Sequence, residues 1–373
     1  MSSIVVRPIS VGQHLEHIGT RPSASFLQTP AWGEVKTDWQ HESLGWFADD
    51  RLIGTGLVLY RRLPRLNRSL AYLPEGPLLD WSAPDLAAHL EALASYLKRR
   101  KAFAVRLGPP AEVRSWDADT LKKAIADETV RRLNDVGPDA TNARGTAVRE
   151  VLRSAGWHPV GGDDENGFTA GQPQYVFQVD LADKTADDVL AGMNQLWRRN
   201  IKKAAKLGVE VRRATAADLA GFHRLYVETA ERDGFTPRPL DYFERMFAVL
   251  QAEDPDRIRL YLACHEGDLV AATTWVRVGR HVWYSYGAST TAKREVRASN
   301  AIQWQMITDA LDCGAQTYDL RGITDTVSST DPHLGLLQFK VGTGGQAVEY
   351  VGEWDLPLNR LLHKAFTFYL SRR

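Results

Sequence analysis

At 373 residues the chain exceeds the ~250–300 at which a single hydrophobic core stops growing, so two domains are expected. Lysine plus arginine balances aspartate plus glutamate, 46 against 46, which excludes a global field for a nucleic acid or membrane but leaves room for a local basic patch. With 44% hydrophobic and 25% charged residues, the composition is that of a globular protein rather than a disordered or membrane-spanning one.

The opening MSSIVVRPIS has too short an apolar run for a signal peptide, and no stretch approaches the ~20 apolar residues of a membrane span. Cys264 and Cys313 form no CxxC pair and suit a reducing compartment, so the expected location is cytoplasmic.

In chain order, IVVRPISVGQHLEHI (4–18) predicts a strand, a polar turn and a helix. SFLQTPAWGEVK (25–36) predicts a short helix entered through Pro30, with Trp32 and Lys36 one turn apart. RLIGTGLVLYRRL (51–63) and RSLAYLPEGPLLDW (68–81) predict a strand meander. Leu86, Leu90, Leu93 and Leu97 recur at helical spacing ahead of the strand-like AFAVRL. Residues 124–172 predict helices of the first module and then a Gly-rich connection, VGGDDENGFTAGQ. ADDVLAGMNQLWRRNIKKAAKLG (186–208) predicts one basic helix, with Asp187 and Asp188 at its start, lysines near its end and Gly208 as its cap.

From Val209 the layout repeats. VEVRRATAADLAGFH (209–223) matches 4–18, and DLVAATTWVRVG with HVWYSYGAS matches the meander. Ile302, Met306 and Leu311 then mark a second closing helix before the strand-like AQTYDLRGI. The shared order β–α–β–β–β–α–β argues for two copies of one α/β module. Both sheets are expected to be mixed, because hairpins give antiparallel pairs and crossover helices give parallel ones.

Several clusters could carry chemistry. Arg199, Lys202, Lys203 and Lys206 share one face of the basic helix at about 100° per residue, with Leu196 and Ala204 or Ala205 turned inward. That face is either solvated or a phosphate-backbone contact whose affinity falls with salt. In RDGFTPRPLDYFERMF (232–247), Pro237 and Pro239 stiffen the loop that carries Arg238, whose fork suits phosphate, and Tyr242 follows one turn on. As a regular strand, HVWYSYGAS turns Val282, Tyr284 and Tyr286 to one face. LGLLQFKVGTGG (334–345) brings Lys340 to the end of an apolar run and follows it with Gly342, Gly344 and Gly345. There is no HExxH, GxSxG, GxxxxGK[ST] or Cys/His cluster, so no metal site is expected, and no [QR]xxGx[GA] loop for coenzyme A.

Taken together and in order, FLQTPAWGEVK, LAYLPEGPLLDW, RRNIKKAAKLGVEV, ERDGF, YGAS and LLQFKVGTGG resemble the Fem family, the non-ribosomal aminoacyltransferases that build peptidoglycan side-chain bridges. The resemblance covers nearly the whole chain. It implies tandem acetyltransferase-like (GNAT) modules, with the C-terminal tail returning to the first. The implied boundaries are 1–172 plus 351–373 and 173–350. It implies transfer of Gly, Ala or Ser from aminoacyl-tRNA, a co-substrate rather than a bound cofactor, to an amine on a muramyl pentapeptide, forming an interpeptide bridge. The acceptor would be nucleotide- or lipid-linked, and the latter allows a peripheral membrane contact.

Carried over by position, Lys36, Arg238 and Tyr242 match residues that hold the acceptor's phosphates and nearby groups. Tyr286, or else Tyr284, matches a tyrosine of the acceptor cleft. Phe339 and Lys340 match a Phe-Lys pair near the aminoacyl end of the tRNA, and the basic helix would meet the tRNA itself. There the Lys340 ammonium would stabilise negative charge on the ester carbonyl oxygen or on a neighbouring tRNA phosphate, and the glycines would admit a bulky donor. One departure stands out. Many relatives carry Asp-Pro where this chain has Gly108-Pro109, and Asp80 in GPLLDW is the candidate replacement carboxylate. Rival readings are an acyl-CoA-dependent N-acyltransferase and a non-catalytic module that binds precursor or RNA.

Overall fold

The computed structural model describes residues 4–161 and 171–370. The chain forms two compact units: 1–115 with 138–175 and 348–373, and 116–137 with 176–347. Residues 116–137, expected with the first module, therefore group with the second. Most of the Gly-rich connection, 162–170, lies outside the described residues.

In the first unit, seven strands lie side by side in the order Ile4–Pro8, Gln40–Ala48, Arg51–Arg62, Ser69–Leu73, Ala102–Leu107, Trp354–Pro357 and His158–Pro159. The first three neighbours pair antiparallel, whereas Ser69–Leu73 and Ala102–Leu107 run parallel. A parallel pair needs a crossover, and helix Leu86–Arg99 supplies it. The predicted stripe Leu86, Leu90, Leu93 and Leu97 is fully buried against Trp46 and Val105, each leucine contributing roughly 1.5–3 kcal/mol. The C-terminal strand Trp354–Pro357 extends this sheet, and the terminal helix Arg360–Leu370 packs Leu362 and Phe366 on Phe103 and Leu70.

The second unit repeats the plan. Its strands Glu210–Ala214, Ile258–His265, Asp268–Val278, His281–Ser289, Thr317–Gly322 and Tyr175–Asp180 follow in sheet order. His281–Ser289 and Thr317–Gly322 are the parallel pair, connected by helix Ala298–Asp312. Helices Leu219–Asp233 and Leu240–Glu253 complete this half, with Phe222, Phe243 and Phe247 fully buried.

The segment expected to be one basic helix is two, Ala186–Gly192 and Gln195–Lys206. Thr185 and Asp188 form a capping box on the first, and Asn194 caps the second by accepting from the Trp197 amide at 2.9 Å. Gly208 does close the second helix, at φ +76 just beyond its cap. Leu196, expected inside, is 58% exposed; Trp197 takes the buried place.

Candidate functional site

Lys340 sits on the short helix Leu334–Val341. Its side chain is 4% exposed, while Leu336 in the apolar run before it is turned outward. The Lys340 Nζ donates to the carbonyl oxygens of Gly322 at 2.6 Å and Arg321 at 3.4 Å. Burial draws this ammonium down to about 7, against the pull of the Asp319 carboxylate, and the Arg321 guanidinium adds to the lowering. Asp319 is itself buried. It accepts from Gln178 Nε2 at 3.0 Å and from the Arg321 amide at 2.6 Å, and it meets His281 Nε2 at 3.3 Å.

Phe339, next to Lys340, is fixed from the other side. Trp197 Nε1 donates to the Phe339 carbonyl at 2.8 Å, and the two rings lie 4.7 Å apart. The glycines that follow do not make room for a donor. A Cβ on Gly342 would run into the Trp197 indole, one on Gly344 into the Gly192 carbonyl, and one on Gly345 into the Gln178 carbonyl. Gly344 also has φ +79. The close approach these residues permit is to the protein's own backbone.

Phe339, Trp197 and Leu196 line a cleft of about 390 Å³ in the second unit, whose far wall is the loop leading into helix Ala298–Asp312. Arg294 and Arg297 are exposed on that wall, and Arg297 is left-handed at φ +62 where the chain enters the helix. Asn200 donates to Asn300 at 3.2 Å and ties the two walls together. The cleft joins aromatic and apolar surface to guanidinium groups and a helix N-terminus, a set suited to an anion attached to a flat ring. Arg294 and Arg297 drew no attention in the sequence, although AKREVRAS just ahead of a helix-like pattern was a usable signal. On the basic helix, Arg199, Lys202, Lys203 and Lys206 are all exposed.

The second cluster gathers Arg238, Tyr242 and Tyr286. The Arg238 guanidinium lies 4.7 Å over the Tyr242 ring, and the Tyr242 and Tyr286 hydroxyls are 3.2 Å apart. Tyr286 meets Phe243 edge-on at 5.1 Å, and burial beside its hydroxyl pushes the Tyr242 phenol well above the ordinary range. Tyr284 cannot join. Tyr286 pairs with Thr274 and Tyr284 with Trp275, so Ser285 is an extra residue in the strand. That bulge breaks the alternation, and the two tyrosines face opposite ways instead of sharing a face.

In the first unit, Lys36 caps the short helix Pro30–Val35, with Nζ 4.8 Å over the buried Trp32 ring. Asp80 is exposed, and its Oδ1 accepts from the Ser82 amide at 2.9 Å. A different carboxylate lies beside Gly108. A Cβ at that glycine would stand 2.9 Å from Glu353 Cγ. Glu353 is buried, accepts from the Tyr72 hydroxyl at 2.5 Å and the Gly171 amide at 2.9 Å, and burial raises it above the usual carboxylate range. Nothing local in GEWD marked it.

Comparison with known proteins accounts for both halves. The FemAB family model matches residues 9–268 and 263–370. The chain belongs to the FemAB family. Among its relatives is the UDP-N-acetylmuramoylpentapeptide-lysine N(6)-alanyltransferase of Weissella viridescens, 29% identical over 94% of this chain and 95% of that enzyme. Another is the lipid II:glycine glycyltransferase of Staphylococcus epidermidis, 24% identical over 94% of this chain and 92% of that enzyme. Both family relatives are aminoacyltransferases. The crystal structure of FemX superposes with a TM-score of 0.80 at 22% identity, covering 96% of this chain and 99% of that one. A tandem GNAT protein from the clavulanic acid biosynthesis pathway matches at 0.51 with 10% identity over 95% of this chain and 98% of that one. The fold is thus a pair of GNAT-like modules with mixed sheets. Among the described residues no helix is long and apolar enough to cross a membrane.

Proposed function

We propose that this FemAB-family protein transfers glycine, alanine or serine from aminoacyl-tRNA to an amine on the stem peptide of a peptidoglycan precursor. The observation that carries the reading is the Phe339-Lys340 pair: an aromatic ring on the wall of a cation-edged cleft, followed in the chain by a buried ammonium. It is supported by relatives that act on UDP-N-acetylmuramoylpentapeptide-lysine and on lipid II.

In the reaction the acceptor nitrogen forms a bond to the ester carbonyl carbon. The bond from that carbon to the terminal ribose oxygen breaks, and the ribose hydroxyl leaves with the proton the amine gives up. Negative charge builds on the carbonyl oxygen in between. Lys340 spends two N–H donors on Gly322 and Arg321 and has a third for that oxygen or a nearby phosphate. Phe339, held by Trp197, stacks on the terminal base, and Arg294 and Arg297 take its phosphate. Lys202, Lys203, Arg199 and Lys206 bind further along the tRNA. Arg238, Tyr242 and Tyr286 of the second unit hold phosphates and neighbouring groups of the acceptor, and Lys36 of the first unit is a separate candidate for phosphate. Asp80, an exposed carboxylate, is the candidate that orients the acceptor amine.

The test is transfer of label from radiolabelled aminoacyl-tRNA to UDP-linked and lipid-linked muramyl pentapeptide, with acetyl-CoA as a rival donor. RNase treatment of the donor should abolish product. Product that forms from acetyl-CoA, or survives RNase, overturns the reading.

A further inference from the structure

Away from these residues, one end of the first unit combines charge with exposed apolar side chains. The hairpin between strands Arg51–Arg62 and Ser69–Leu73 carries Arg62, Arg65 and Arg68, and the turn after helix Leu86–Arg99 carries Arg100 and Lys101 beside Arg99. All six are exposed, and all but Arg65, at the hairpin tip, line a cavity of about 260 Å³. Among the described residues only Arg100 of this group makes an ion pair, with Glu42 at 3.4 Å. The dipole of helix Leu86–Arg99 accounts for cations at its end, but not for those on the hairpin.

The apolar part adjoins it. Leu66 at the hairpin tip is 49% exposed. Leu63 of the same hairpin packs in one cluster with Leu362 and Phe366 of the terminal helix. That helix has a second face, Leu361, Lys364, Ala365 and Phe368 at i, i+3, i+4 and i+7, which is turned outward. Leu361 is 82% exposed.

We infer that this end of the first unit docks on an anionic membrane surface. Lipid phosphates enter the basic cavity, while Leu66 and Leu361 sink into the boundary between headgroups and acyl chains. An RNA would engage the cations but would leave the apolar helix face in water; a bilayer surface uses both. The inference gives a surface to the membrane contact that a lipid-linked acceptor would allow, and its test reads vesicle binding alone, so it can fail without the transfer reading failing.

The test is co-sedimentation of the full chain with vesicles of phosphatidylcholine alone or mixed with phosphatidylglycerol, at physiological ionic strength. Binding is expected only with phosphatidylglycerol, and it should weaken with added salt. Arg62→Glu with Arg68→Glu should lower the partition constant roughly a hundredfold or more. Leu66→Ser with Leu361→Ser, which leaves Leu362 and Phe366 of the packed face intact, should lower it about tenfold. Wild-type protein that ignores anionic vesicles overturns the inference. So does equal binding by folded variants, or single-stranded RNA bound through Arg62 and Arg68 without any vesicle binding.

Discussion

The Lys340 ammonium donates to the Gly322 carbonyl across 2.6 Å, joining the helix that bears Phe339 to the end of strand Thr317–Gly322. A cation committed this way both holds Phe339 in place and carries charge into an apolar layer. Lys340→Met should lower the transfer rate about 10²–10³-fold while acceptor affinity stays within about twofold of wild type. Single-turnover transfer and acceptor titration calorimetry read the two separately. Unchanged turnover would remove Lys340 from the chemistry.

The same residue links stability to pH. Folded protein releases the Lys340 proton near 7, whereas the unfolded chain keeps it up to the ordinary lysine range. Between those limits the unfolded state binds more protons, so this group's contribution to stability rises with pH and is least below about 7. Lys340→Met should therefore gain on wild type at pH 6 relative to pH 9, by about 1–4 kcal/mol. Thermal unfolding of both proteins at the two pH values measures it, and a gap of the opposite sign would contradict a buried, depressed lysine.

Arg238 and Lys36 are expected to act on phosphate. Replacing either by alanine should weaken binding of a phosphate-bearing acceptor about 10–100-fold, with a much smaller effect on a phosphate-free analogue. Equal losses on both ligands would make these residues structural. Tyr242→Phe, which removes one hydroxyl of the pair with Tyr286, should cost about 1 kcal/mol of stability.

Charge reversal on the basic helix, Lys202→Glu with Lys203→Glu, should weaken tRNA binding and reduce the slope of log affinity against log salt by about 1 per lost phosphate contact. Both side chains are exposed, so the fold should be untouched. An unaltered slope would leave them as solvated charges.

Gly344→Ala tests the packing behind the cleft. The position combines φ +79 with the Gly192 carbonyl where a Cβ would go, so a loss of about 2–4 kcal/mol is expected in urea unfolding. A near-neutral effect would show that the loop can move, and would restore the idea that its glycines make room for a ligand.

The local patterns were legible. The stripe Leu86, Leu90, Leu93 and Leu97 marked a helix because burial on one side demands that spacing, and the repeated strand order exposed the duplication. The break at Met193 was missed, although Gly192 and Asn194, a cap residue that a continuous helix has no use for, are local signals of it. The separation of Tyr284 from Tyr286 was not legible, since one extra residue at Ser285 reverses every later side chain and leaves the composition of the strand unchanged. Lys340 was visible as an anomaly, but its carbonyl partners at 321 and 322 were not.

By itself the sequence determined the order of elements, their amphipathic faces and the family to which the chain belongs, because each of these depends on residues close together along the chain. Tertiary structure alone decided that Lys340 is buried against backbone oxygens, that Tyr286 rather than Tyr284 meets Tyr242, and that Glu353 fills the space at Gly108. Those outcomes depend on strand register and on contacts between distant segments, and a shift of one residue is enough to turn a side chain from the core to the solvent.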